Sequence, residues 1–352
     1  MLPTCRPRTA PRSTRTCRPR AARRSKGCCG RRRRGSPRHY NCPDSHSPAH
    51  FRRPIVNELQ RYLVEEAVED YEEGRLTRRE ALKAIAGVTG AILAAQTIEA
   101  RAQGAPAPAA KAPPGSAPLV APDDPTIVAG IAEFPGDGAR LAGYLARPKQ
   151  SGSFPIVLVC HENRGLTRHV EDVARRVAKA GYVGIAVDLL SREGGTAKHG
   201  FDAIPGILGK AAPARHVQDF QSGLAYARSQ PFARADRVGM TGFCFGGAVT
   251  WRVAAAVPDL RAAVPFYGVP VQESDVPKIG AAVLAIYGGL DDRINQNIPA
   301  IEAAMQKYGK TFRKIVYPNV NHAFHNDTGD RYNAEAAKAA WGEALAWFGK
   351  YL

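Results

Sequence analysis

Beyond its first 53 residues the chain is poor in cysteine. Five of its seven cysteines (Cys5, Cys17, Cys28, Cys29 and Cys42) lie before that point, and only Cys160 and Cys244 lie after it. Two thiols in the folded part give no framework of structural disulfides. No Cys-x-x-Cys unit is matched by a second, which argues against a zinc site. No Walker-type phosphate loop, dinucleotide fingerprint or metal-ligand constellation is present, so no cofactor and no metal are expected. The uncharged run from Ala84 to Thr97 is too short to cross a membrane comfortably.

Negative charge is scarce at one end. The formal net charge is +17, but residues 1–53 hold 16 Lys/Arg against the single acid Asp44, so the remaining chain is close to neutral. The first 53 residues are rich in Arg, Pro and Ser and poor in aliphatics. They bury too little apolar surface to offset chain entropy and read as a disordered tail. Arg31 to Arg34 could contact nucleic acid or anionic lipid, but no interleaved aromatics or DNA-binding module accompany them, so no specific nucleic-acid partner is expected. The abrupt change in composition is read as an upstream extension from a misplaced start codon.

Residues 54–102 combine two signals. An acidic amphipathic helix over 55–73 places Ile55, Leu59, Leu63, Val64, Ala67 and Tyr71 on one face, and Gly74 ends it. Then come Arg78-Arg79, the uncharged run and Ala100-Arg101-Ala102, which resemble a twin-arginine export signal and point to a periplasmic or secreted protein; the alternative is a second amphipathic helix in a cytoplasmic one. Residues 103–126 carry seven prolines among Ala and Gly and read as an extended linker. From about residue 127 to 352, continuous apolar β-rich runs alternate with helical patterns. That is an α/β fold with a mostly parallel sheet covered on both faces.

The chemistry concentrates at Gly242-Phe243-Cys244-Phe245-Gly246-Gly247, between the apolar run Val238–Thr241 and a helical stretch from Ala248 to Val257. Strand, Gly-x-nucleophile-x-Gly turn and helix form the nucleophile elbow of α/β-hydrolases, here with cysteine at its centre. In that fold the acid and then the histidine follow the nucleophile along the chain. Asp291 follows Gly288-Gly289-Leu290, and His322 follows the run ending at Tyr317. His322 would accept the thiol proton, Asp291 would orient the imidazole, and backbone N–H groups of Phe245 and Asn163 would hold the oxyanion. Tyr267, at the end of a strand, could touch substrate, and Cys160 reads as an inert core thiol.

His161-Glu162-Asn163-Arg164-Gly165-Leu166, the cysteine elbow, Gly288-Gly289-Leu290-Asp291 and His322-Ala323-Phe324 together resemble the dienelactone hydrolase family over essentially all of residues 127–352. The resemblance implies a cofactor-free hydrolase of enol-lactones or small esters. It implies that Glu162 contacts the resting thiol and helps form the thiolate. It further implies two arginines for a substrate carboxylate: Arg192 matches the first, while Asn326 stands at the second, with Arg331 in the next loop as a substitute. That departure keeps open a general carboxylesterase or thioesterase, and a non-catalytic binding protein is the reading from another class.

Overall fold

The computed structural model describes residues 57–89 and 118–352. The basic tail, the Ala100-Arg101-Ala102 triplet, the end of the uncharged run and most of the Pro/Ala stretch lie outside them.

Helix α1 (Glu58–Glu72) begins with a capping box: the Asn57 side chain accepts from the Gln60 N–H, and the Gln60 side chain accepts from the Asn57 N–H. Helix α2 (Arg78–Thr89) starts similarly, with Glu80 accepting from both the N–H and the hydroxyl of Thr77. The Thr-Arg-Arg-Glu sequence of the export-like motif therefore also serves as a helix start. Ala67 and Val68 of α1 pack against Ala81, Ala84 and Ile85 of α2. Gly87 of α2 meets Gly206 so closely that a Cβ on Gly206 would lie 2.9 Å from the Gly87 Cα.

The body is an eight-stranded sheet. Its strands are β1 (Ile127–Gly136), β2 (Ala139–Pro148), β3 (Phe154–Cys160), β4 (Val183–Val187), β5 (Ala233–Phe243), β6 (Ala262–Phe266), β7 (Ala282–Gly288) and β8 (Phe312–Tyr317). Their spatial order is β1-β2-β4-β3-β5-β6-β7-β8. The β1–β2 and β2–β4 pairs are antiparallel, and the rest are parallel. Every residue of β4, β6 and β7 is buried, as unbroken apolar runs require of a sheet covered on both faces. The covering helices are α3 (Arg168–Lys179), α4 (Ile204–Lys210), α5 (Pro213–Arg228), α6 (Phe245–Ala256), α7 (Asp292–Asn295), α8 (Ile298–Lys307) and α9 (Ala334–Tyr351). Helix α4 is absent from the sequence reading, because Pro205, Gly206 and Gly209 conceal a short helix that tertiary packing stabilises. Trp251 is wholly buried, and the Trp347 indole donates to the Ala282 carbonyl at 3.1 Å.

The ordered body begins before residue 127. The Asp172 carboxylate on α3 accepts the N–H groups of Leu119 (3.0 Å) and Val120 (2.8 Å), and Arg175 donates to the Val120 carbonyl at 2.7 Å. Arg176 also donates to Asp172, at 2.9 Å through Nε. Removing this buried carboxylate leaves two backbone donors without their acceptor and takes one partner from each arginine, Arg176 keeping Asp327 and Arg175 the Val120 carbonyl and the Tyr144 hydroxyl. Asp172→Ala should cost about 3 kcal/mol of stability, read from urea unfolding, and should expose residues 118–126 to limited proteolysis.

Candidate active site

Parallel strands send their C-terminal ends to one edge, and the candidate groups gather there. Cys244 follows β5, Asp291 follows β7, His322 lies in the loop after β8, and Glu162 and Asn163 follow β3. Cys244 is held at φ 58° and ψ −121°, a left-handed conformation costly for a residue with a side chain. The crowding around the turn explains its neighbours. A Cβ on Gly242 would collide with the Gly246 carbonyl, and one on Gly246 would lie 2.5 Å from the carbonyl oxygens of Cys160 and His161. Helix α6 starts at Phe245, earlier than the expected Ala248, so Cys244 caps its N-terminus. A helix N-terminus favours negative charge on sulfur.

His322 Nδ1 and Asp291 Oδ2 are 2.6 Å apart, and both side chains are fully buried. The other Asp291 oxygen accepts the Ile294 N–H at the start of α7, which fixes the carboxylate. His322 Nε2 faces the thiol side; it, Cys244 Sγ and a Glu66 oxygen all lie within 4.8 Å of one another. Burial alone would lower the imidazole pKa. The Glu66 and Asp291 carboxylates outweigh it and hold His322 well above its ordinary value. Burial also raises the Cys244 thiol, and the Glu66 charge raises it further, against a smaller lowering by His322. Neither the Phe245 nor the Asn163 backbone N–H donates to a backbone carbonyl of another described residue.

Two groups at this centre come from α1, and the sequence reading did not include them. The Tyr62 hydroxyl donates to Cys244 Sγ at 3.1 Å and lies 3.4 Å from His322 Nε2. Glu66 Oε1 is 3.7 Å from Cys244 Sγ and 3.6 Å from His322 Nε2. Glu66 is nonetheless ionised to low pH: burial pushes its pKa up, but His322 and Arg293 pull it down to about 2. A Cys–His–Glu trio at this spacing could clasp a thiophilic cation, and among the described residues it is the one such group. The signal for Tyr62 and Glu66 was helical spacing: Tyr62 lies three residues after Leu59, and Glu66 three after Leu63 and four after Tyr62, beside Ala67. It puts all five on the buried face, whereas the sequence reading gave that face to apolar residues only.

Several expected positions differ. Glu162 makes no hydrogen bond to the thiol: its Oε2 accepts from Asn326 Nδ2 at 2.6 Å, its Oε1 is buried without a partner, and Glu66 takes the place beside sulfur. Burial raises the Glu162 carboxyl above its ordinary range. Arg192 is not a free carboxylate ligand, because Asp219 holds it at 2.8 Å and it donates to the Asp137 carbonyl at 2.7 Å. Asn326 and Arg331 do line the roughly 350 Å³ cavity against Cys244, with Arg331 donating to Glu73 at 2.9 Å. Tyr267 is fully buried, its ring centre 4.9 Å from that of His322, so it packs behind the imidazole and does not line that cavity. His325 is buried and stacks on Phe243. Cys160 is buried, and burial raises its pKa well above the ordinary thiol value.

The sign of the Glu66 effect gives a test. A carboxylate beside sulfur disfavours the thiolate, so Glu66→Gln should move the pH midpoint of Cys244 alkylation by iodoacetamide to lower pH. Mass spectrometry of the Cys244 peptide reads this separately from the other cysteines. An unmoved or alkaline-shifted midpoint would contradict the electrostatic assignment.

The sequence model of the dienelactone hydrolase family matches residues 141–352. A protein of Escherichia coli O157:H7, described provisionally as a carboxymethylenebutenolidase, is 37% identical over 261 residues, covering 70% of this chain and 94% of its own. A protein of Methylorubrum extorquens with the same provisional description is 35% identical over 245 residues, covering 66% of this chain and 84% of its own. The crystal structure of a provisionally assigned dienelactone hydrolase from Klebsiella pneumoniae subsp. pneumoniae superposes with a TM-score of 0.60 at 33% identity, covering 64% of this chain and 99% of that one. Sequence match, sheet order and elbow agree, and the chain belongs to the dienelactone hydrolase family of α/β-hydrolases.

Proposed function

We propose that this hydrolase cleaves an enol-lactone or small carboxylic ester through Cys244, His322 and Asp291. The observation that carries the reading is the 2.6 Å contact between His322 Nδ1 and the anchored Asp291 carboxylate, with the opposite imidazole nitrogen turned toward a cysteine on a strained elbow. Once Glu66 no longer holds the imidazole protonated, His322 Nε2 takes the thiol proton as Cys244 Sγ bonds to the carbonyl carbon. The carbonyl electron pair moves onto oxygen, where the N–H groups of Phe245 and Asn163 accept the charge. Collapse expels the alcohol or enol oxygen, protonated by His322, and leaves a thioester on Cys244. Water, deprotonated by the same imidazole, adds to the thioester, and collapse returns the thiol and the carboxylic acid. Asp291 keeps the tautomer and stabilises the imidazolium at each stage. Glu162, buried with one oxygen unpaired beside the cavity, would reach the thiol by rotating away from Asn326.

A second reading, a general carboxylesterase without preference for an acidic substrate, is favoured by the engagement of Arg192 with Asp219 and by the neutral Asn326. Comparing turnover of dienelactone with that of p-nitrophenyl acetate separates the two: the first reading expects both, the second only the neutral ester. Cys244→Ala and His322→Ala should each lower kcat/KM by at least about 10³-fold, and Asp291→Asn by about 10²–10⁴-fold. Undiminished hydrolysis by Cys244→Ala would refute the thiol mechanism.

A further inference from the structure

Helix α1 lies outside the family match at residues 141–352, yet its Tyr62 and Glu66 lie 3.1 and 3.7 Å from the Cys244 sulfur. It also stands between two cavities: about 350 Å³ against Cys244, bordered by Glu66, and about 430 Å³ bordered by Tyr62 and Arg293. A scissile carbonyl must come within about 3.5 Å of sulfur. The Tyr62 hydroxyl and the Glu66 carboxylate hold that space.

Leu59, Tyr62 and Leu63 bury the helix against the main core, and ion pairs add to its seating. Glu58 pairs with Arg252 at 2.9 Å, Glu66 and Glu69 with Arg293 at 2.6 and 2.7 Å, and Glu73 with Arg331 at 2.9 Å. Among these three arginines, Arg293 alone has a buried guanidinium nitrogen, Nη1, without a partner. Its side-chain hydrogen bonds go only to α1, and its guanidinium lies 4.9 Å from the centre of the Tyr62 ring. Without α1, Arg293 would lose both of its side-chain hydrogen-bond acceptors, and a guanidinium left so close to the nucleophile calls for an anion. Glu66 meets that demand as an external carboxylate would. One oxygen is on Arg293, and the other is 3.7 Å from Sγ and 3.6 Å from Nε2.

We propose that Arg293 recognises a carboxylate of the substrate or of the acid product, and that α1 occupies this site through Glu66 and Glu69 and keeps the enzyme closed until it is displaced. This rests on the hydrolase reading above. It also gives the export-like segment a consequence: cleavage at Ala100-Arg101-Ala102 would detach α1 from the catalytic body.

The test uses the full chain with a thrombin site inserted within residues 104–117. Alkylation of the Cys244 peptide by neutral iodoacetamide and anionic iodoacetate is followed before and after cutting and a high-salt wash. Cutting should raise both rates at least about tenfold. In the cut protein, Arg293→Gln should lower the iodoacetate-to-iodoacetamide rate ratio at least about fivefold, and Arg293→Lys should restore part of it. Equal rates before and after cutting would overturn the closed form, and an unchanged ratio in Arg293→Gln would overturn the anion site. Both readouts are independent of turnover. If they respond as expected while the cut protein cleaves no ester, the hydrolase mechanism fails and the occlusion by α1 stands.

Discussion

The strained turn at Cys244 is the constraint on which the rest of the site depends. Strand β5 must end and helix α6 must begin within one residue, and both must press against the loop after β3 and the end of β6. Only glycine fits at Gly242 and Gly246, where added carbon would strike backbone carbonyls of the elbow itself or of Cys160 and His161. In return the thiol projects from the sheet edge at a helix N-terminus, beside two N–H groups that donate to no described backbone carbonyl. The same parallel sheet carries Asp291 and His322 to that edge from β7 and β8, so sheet order brings the three side chains together.

Around this frame the electrostatics favour a resting state. Glu66 stabilises a protonated His322 and at the same time opposes a thiolate on Cys244. A neutral thiol beside a cationic imidazole is slow to attack and slow to oxidise. The carboxylate responsible sits on α1, not on the β3 loop, where Glu162 is tied to Asn326. Whether the thiol is restrained is therefore decided by a helix outside the family's matched span.

The sequence was a good guide where chemistry and chain order reinforce each other. The elbow glycines, Asp291 after a Gly-Gly turn and His322 after the last strand lie at one sheet edge, as the chain order implied, and continuous apolar runs gave the buried strands. It was a poor guide where a contact spans a long separation. Tyr62 and Glu66 meet Cys244 across 182 and 178 residues, and nothing local to an acidic amphipathic helix says which surface it covers. Arg192 illustrates the same limit: its position suited a substrate ligand, but Asp219, on α5, claims its guanidinium. Short α4 escaped because its glycines and proline are tolerated only once α2 packs against it.

The covalent intermediate tests the central claim most directly. The chain, cut between α1 and β1, would be mixed with p-nitrophenyl acetate, acid-quenched within the first turnovers, and its peptides weighed. The account predicts an acetyl group on Cys244, absent in Cys244→Ala and accumulating in His322→Ala only at a strongly reduced rate. An acetyl group carried by another residue during turnover, or full turnover with Cys244 unmodified at every quench time and in the Cys244→Ala protein alike, would contradict it.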